Sequence, residues 1–122
     1  MMNLNYLIIV SMLIFSIGCK SDRDSFNNIL GEWKCSQWTT RSQSINKCND
    51  QVKFIFRPDK SYSSFLGIEE SGTFFIETQM LHVSPKDKMQ FSVKIQTNNK
   101  DSLVLLMNSG GELEEMILTK VH

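Results

Sequence analysis

The chain has 122 residues, a length that fits a single domain. It carries 13 basic and 13 acidic side chains, so the formal net charge is zero and no broad positive surface for nucleic acid is predicted. The charges are unevenly placed, because residues 1–18 contain no Lys, Arg, Asp or Glu and the charged side chains begin at Lys20. The composition therefore separates an apolar leader from a polar remainder.

An apolar run occupies residues 7–15 and is interrupted only by Ser11. This length fits the core of a signal peptide, about 7–15 residues, and falls short of the roughly 20 apolar residues of a membrane-spanning helix. Polar residues 20–25 follow directly. We therefore predict a removable export signal over residues 1–18, in the form of a short helix. The alternative is a buried apolar helix.

Residues 16–19 read SIGC and resemble the lipobox of bacterial lipoproteins. The resemblance implies a lipid on the thiol of Cys19, cleavage of the signal before it and acylation of the new amino terminus, with palmitate as one such acyl group. Residues 19–28 would then form a lipidated tether. The implied location is the bacterial cell envelope, on the periplasmic or surface face of the outer membrane. The alternative is an ordinary signal peptide with a chance cysteine.

Lipidation of Cys19 would leave Cys35 and Cys48 as an even pair in an oxidising compartment. A disulfide between them would close a short loop and contribute about 3 kcal/mol. The alternative is two buried or free thiols. The cysteine spacing matches no zinc pattern and the only histidines are His82 and His122, so we predict neither a metal site nor a cofactor.

From residue 31 onward, apolar and polar side chains alternate with the period of two that is typical of strands with one buried face. The clearest case is residues 91–96, and turn signals such as Pro58-Asp59 separate the runs. The fold class is therefore all-β, as an antiparallel barrel or a sandwich. The helix candidate after the signal is a turn at residues 26–30. Strands are predicted at residues 31–39, 51–57, 61–67, 72–78, 80–83, 88–96, 102–107 and 113–121.

Residues 29–34 read ILGEWK and resemble the start of a lipocalin-like domain, where a helical turn leads into a Gly-x-Trp strand. The order of the segments that follow is similar to that in small lipocalin-like domains of bacterial lipoproteins, over most of residues 29–121. The resemblance implies a small up-and-down antiparallel barrel of about eight strands at residues 29–122. Barrel closure would involve Gly31, Trp33 and Lys120, with the lysine packed on the indole. The alternative is a solvated terminal lysine.

The same resemblance implies a ligand cup inside the barrel. The alternative is a solid core, since protein interiors are close-packed. The candidate lining residues are Phe54, Phe56, Phe65, Phe74, Phe91 and Met116.

Catalytic patterns are weak in this sequence. The pairs Glu69-Glu70 and Glu114-Glu115 are adjacent, so on strands their members point to opposite faces and cannot share a proton. We expect these carboxylates to be solvated and His82 to face outward. Neither a nucleophile elbow nor a Gly-rich phosphate loop is present, and no enzymatic role is predicted.

Two functional hypotheses follow. The first is a lipid-anchored envelope lipoprotein that binds a small apolar ligand. The second is a protein-interaction module with a solid core, such as an envelope-stress sensor or an inhibitor of a secreted hydrolase, which contacts its partner through loops 40–50 and 97–101. A cavity of roughly 300 Å³ or more, open at one end, would favour the first hypothesis.

Overall fold

The computed structural model describes residues 21–43 and 45–122. Within those ranges one helix precedes eight strands, and the strands close into a barrel in which each pairs antiparallel with the next and β8 pairs with β1. The predicted all-β up-and-down barrel is confirmed. The predicted signal at residues 1–18 and Cys19 lie outside the described residues. The elements are α1 (Asp22–Ile29), β1 (Gly31–Thr40), β2 (Lys53–Phe56), β3 (Ser61–Phe65), β4 (Glu69–Glu77), β5 (Met80–Pro85), β6 (Phe91–Asn98), β7 (Ser102–Ser109) and β8 (Glu112–Lys120).

Helix α1 is longer than the predicted turn and includes most of the predicted tether. Ser21 caps it, because its hydroxyl accepts a hydrogen bond from the Asp24 backbone N–H at 3.2 Å. Two acidic residues in the first turn interact favourably with the positive end of the helix dipole. Ser25 and Ile29, spaced four residues apart on one face, are both buried. Residues 22–28 are therefore part of a helix that is fixed on the barrel.

The end of the barrel beside α1 is closed around the buried Trp33. Its indole Nε1–H donates to the Ile29 carbonyl at 2.8 Å, and Lys120 Nζ lies 4.6 Å from the ring centroid. The same ammonium donates to the carbonyl of Leu30, and burial lowers the pKa of Lys120 below its ordinary value. Gly31 has a φ of +122°, and a Cβ there would lie 2.8 Å from Lys120 Nζ. The contact implied by the family resemblance is present in the structure.

Two β-bulges shift the alternation of side chains. One lies between Cys35 and Gln37 on β1, and the other between Ile95 and Thr97 on β6. Each adds a residue to one strand, so the inward set changes phase beyond it. A strict period of two along β1 would place Gln37 on the same face as Trp33 and Trp38 on the other face. Because of the bulge, Trp38 faces the interior and Gln37 is exposed.

A disulfide joins Cys35 of β1 to Cys48 in the loop that follows, with Cα atoms 5.7 Å apart. The predicted pairing is confirmed. The Asn46 side-chain oxygen supports the same loop, since it accepts from the Trp38 backbone N–H at 2.9 Å and from the Cys48 N–H at 3.0 Å. The long β1–β2 loop is thereby held against the end of the barrel opposite α1.

Candidate functional site: an apolar cup at the open end

The barrel end opposite α1 opens into a cup of about 80 Å³. The opening lies where β1, β3, β5 and β7 end and where the other four strands begin, because all neighbouring strands are antiparallel. The inner faces of the strands supply an almost wholly apolar wall. Its aromatic members are Trp38, Phe54, Phe56, Tyr62 and Phe91. Its aliphatic and thioether members include Leu81, Val83, Val93, Leu105, Met107 and Met116.

Four of the predicted lining residues border the cup, namely Phe54, Phe56, Phe91 and Met116. Phe91 stands at the opening and is 47% exposed, whereas Met116 is buried below it. The structure therefore brings together residues from β2, β6 and β8 that are far apart in sequence.

The other two predicted residues lie elsewhere. Phe74 is buried at the closed end, where its ring centroid lies 4.9 Å from that of Phe56 and 5.8 Å from that of Phe26 in α1. The assignment of Phe65 to the cup was wrong. Its ring faces outward beneath Lys53, whose Nζ is 4.8 Å from the centroid, because the register of β3 turns its even-numbered residues inward.

Sequence reasoning missed several polar residues of the cup. Tyr62 and Ser64 face inward because they pair with Phe56 and Phe54 across the β2–β3 hairpin. The short turn between these strands was the available signal, since it sets the register. Trp38 was missed because the bulge on β1 cannot be read from the alternation alone.

The interior is solid at one end and hollow at the other. Trp33, Phe56 and Phe74 fill the half near α1 with rings that are at most 2% exposed. The cup above them, at about 80 Å³, is well below the roughly 300–1,000 Å³ of ordinary ligand pockets, so the cavity size expected to favour the first hypothesis is not reached. Such a space suits a compact chemical group and excludes a long acyl chain.

Glu70 brings a carboxylate to the lip of the cup. The Tyr62 hydroxyl donates to Glu70 Oε1 at 3.2 Å, and Lys88 Nζ lies 2.8 Å from Oε2. Burial raises the pKa of Tyr62 above its ordinary value, and the charge of the Glu70 carboxylate raises it further. Glu69 points outward and is exposed, so the opposite-face argument holds for this pair. The Glu70 side chain is therefore only partly solvated, with 26% of it exposed, and not fully solvated as expected.

Glu114 occupies a similar position on β8. The Trp38 indole Nε1–H donates to its Oε2 at 3.3 Å, and Lys47 Nζ lies 2.8 Å from its Oε1. The hydrogen bond from Lys47 holds the pKa of Glu114 below its ordinary value. Only 13% of this side chain is exposed, so the expectation of a solvated carboxylate was wrong here.

Other chemistry is limited in the described ranges. Within residues 21–43 and 45–122, no group of three or more His, Cys, Asp and Glu side chains is arranged to hold a metal ion. Across that same part of the chain, no helix has the length and apolar character to cross a membrane. His82 lies on the outer face, where its Nδ1 is 2.6 Å from Ser92 Oγ and its ring stacks on Phe75.

Comparison with known proteins gives a consistent result. The sequence model of the lipocalin-like domain family matches residues 29–105 of this chain. A solved structure of a lipocalin-like protein from Bacteroides uniformis superposes with a TM-score of 0.61 at 14% identity, covering 77% of this chain and 99% of that one. At such low identity the superposition shows the fold alone. No curated protein matches the sequence. On the strength of the family match, the chain belongs to the lipocalin-like domain family.

Proposed function

We propose that this protein is a lipid-anchored envelope lipoprotein whose barrel binds a small apolar ligand, or the compact apolar end of a larger one. The observation that carries this proposal is the small cup at the open end of the barrel, walled by aromatic and aliphatic side chains. Removing apolar surface from water contributes about 25 cal/mol per Å², and a preformed cup limits the ordering cost of binding. Binding without catalysis is proposed, because the two partly buried carboxylates at the opening, Glu70 and Glu114, are each paired with a lysine.

A titration with a compact apolar probe such as tert-butanol tests the cup. The measured signal is the NMR shift of the Trp38 indole N–H, since this ring lines the cavity. The variant Ser64→Phe should abolish the shift, because a phenyl group at this inward position fills the space. The matched control is Ser71→Phe, at an exposed outward position of β4, and it should leave the shift unchanged. A shift that persists in Ser64→Phe, or that never appears in the parent protein, refutes binding in the cup.

The position of α1 supports an orientation for the proposed anchor. Helix α1 begins three residues after Cys19, and three extended residues span at most about 11 Å. Asp22 accepts from the Thr78 backbone N–H at 3.0 Å, and Asn98 donates to the Ser25 carbonyl at 2.7 Å, so the helix is fixed at the closed end. A lipid on Cys19 would therefore hold the closed end toward the bilayer and turn the cup away from it.

Mass spectrometry of the mature protein tests the anchor. The expected product starts at a lipidated Cys19, and Cys19→Ala should abolish both the lipid and the cleavage before residue 19. An unmodified Cys19, or a mature chain that retains residues 1–18, contradicts the proposal. The orientation is tested with a dye at Thr78 or at Gly110 on vesicle-bound protein. A headgroup quencher should reduce the emission at Thr78 far more than at Gly110.

The alternative function as a protein-interaction module has its own supporting observation. Large apolar side chains are exposed around the open end, and exposed apolar patches often mark protein-binding sites. They are Ile45, Leu66, Ile68, Met89, Phe91 and Leu113. Loop 97–101, predicted as part of this surface, lies instead at the closed end beside Lys120. If Ser64→Phe preserves function in the cell while Ile68→Ser with Met89→Ser abolishes it, the interaction role replaces ligand binding.

A further inference from the structure

The chemistry of the cup wall points to the kind of group that it selects. We infer that the cup binds a compact organic cation of the methylated ammonium class in preference to a neutral alkyl group of the same shape. The inference rests on the proposed function, because it requires the cup to be a binding site. It goes further by naming the charge and the chemical class of the ligand.

The wall of the cup is rich in aromatic rings. Rings from four strands converge on a single small space, at Trp38, Phe54, Phe56, Tyr62 and Phe91. The negative face of an aromatic ring attracts a cation within about 6 Å of its centroid, and quaternary ammonium groups are recognised in this way. A methylated ammonium carries its charge on methyl groups that pack like an alkyl group. A wall with few hydrogen-bond acceptors therefore suits it.

One of these rings already holds a cation. Lys47 Nζ lies 5.4 Å from the centroid of Trp38, at the open end of the barrel. The indole N–H of the same ring donates to Glu114, so a carboxylate anchors the ring edge. Trp38 thus stands in an environment that already accommodates a positive charge.

Glu70 places a carboxylate beside the cup. It borders the cup from a fixed position on β4, with 26% of its side chain exposed, whereas its partner Lys88 is 66% exposed on a loop. Exposed ion pairs of this kind are weak, so a ligand cation can replace the lysine while Tyr62 continues to donate to Oε1. An anion would instead draw Lys88 away and leave a half-buried carboxylate without its counter-charge. The fixed charge at the cup therefore selects positive ligands.

The size of the cup agrees with this class of ligand. A cavity of about 80 Å³ excludes an extended chain, whereas a trimethylammonium group is nearly spherical. A larger molecule that carries such a group at one end would leave its remainder outside, next to the exposed Leu66 and Phe91.

The test compares choline with its neutral carbon isostere, in which a quaternary carbon replaces the nitrogen, and with the tert-butylacetate anion. Dissociation constants come from calorimetry on the purified protein, and the Trp38 indole NMR shift locates binding in the cup. Choline should bind about tenfold more tightly than the isostere, and the anion should bind more weakly than either. Glu70→Gln keeps the shape and should reduce this preference to about threefold or less, whereas Glu69→Gln on the outer face should not change it.

The outcomes separate the inference from the proposed function. If the isostere binds in the cup as tightly as choline, the cation inference fails and the apolar-ligand proposal stands. If no probe binds in the cup, both fail. An undiminished preference for choline in a folded Glu70→Gln protein also overturns the inference. As a second check, Phe91→Leu removes a ring at the opening and should weaken choline binding more than binding of the isostere.

Discussion

Substitution of Gly31 by Ala should destabilise the closed end of the barrel through two effects. The residue has a φ of +122°, a conformation that costs a residue with a side chain about 1–3 kcal/mol. The new Cβ would also lie 2.8 Å from Lys120 Nζ and 2.9 Å from Cε, so the lysine must leave its place over Trp33. Loss of that cation–π contact costs about a further 0.5–2 kcal/mol, depending on how far the contact is desolvated.

The expected loss in the free energy of unfolding is therefore about 1.5–5 kcal/mol, which lowers the Tm of a domain of this size by roughly 6 °C or more. Urea unfolding followed by tryptophan fluorescence measures it. The matched control is Gly110→Ala, where φ is +62° and no atom lies within 4 Å of the new Cβ. A double-mutant cycle with Lys120→Met should recover part of the loss, because the crowded ammonium is then gone. Equal losses at Gly31 and Gly110 would refute the reasoning.

Three further predictions concern the loop, the rim and the β4–β5 ladder. Replacing Cys35 and Cys48 by Ser should cost about 3 kcal/mol in urea unfolding, because the bond closes a loop of sequence separation 13. The pKa of Glu114 is lowered from 4.5 by Lys47, so its contribution is present above pH 4.5 and is lost as the pH falls through the lower folded-state value. Glu114→Gln should flatten that part of the stability–pH curve. Gly72→Ala should cost about 3 kcal/mol or more, since its Cβ would lie 2.1 Å from a carbonyl oxygen of β5.

Each of these has a result that would contradict it. Identical unfolding curves for the double Ser variant and the oxidised parent would show that the disulfide adds nothing. If the stability–pH curve of Glu114→Gln shifts in parallel and is not flattened, the ion pair does not contribute to the loss of stability at acid pH. The control is Glu112→Gln, at an exposed position of the same strand. A Gly72→Ala protein that melts with the parent would require β4 and β5 to separate freely at this point.

The strands were predictable because burial on one face imposes a period of two on each of them. All eight predicted segments overlap the observed strands, and the closed barrel agrees with the implied fold. The cysteine count led to the observed disulfide. Helix α1 was underestimated, because only Ser25 and Ile29 are buried and only Phe26 packs beside them, on a segment whose other residues are polar. Such a weak pattern does not predict a helix by itself, because the helix is stabilised by packing on the end of the barrel.

The candidate site was less predictable, for three reasons. The bulge on β1 turns Trp38 inward, and an extra residue in a strand leaves no clear mark in the alternation. The register of β3 decides that Tyr62 and not Phe65 faces the cup. For Glu69 and Glu70, the alternation along a strand predicts that the two side chains face opposite sides of the sheet. It does not predict which of them faces the cup, because that depends on how β4 pairs with its neighbours.

The amino-acid pattern alone determined the class of fold, the number of strands and the pairing of the cysteines, since these depend on local alternation and simple counting. Tertiary structure decided which end is filled, how much space remains at the other, and which charged groups border it. Those properties depend on the volumes of side chains that meet across the barrel from distant strands. No local pattern in the sequence predicts the total volume of those side chains.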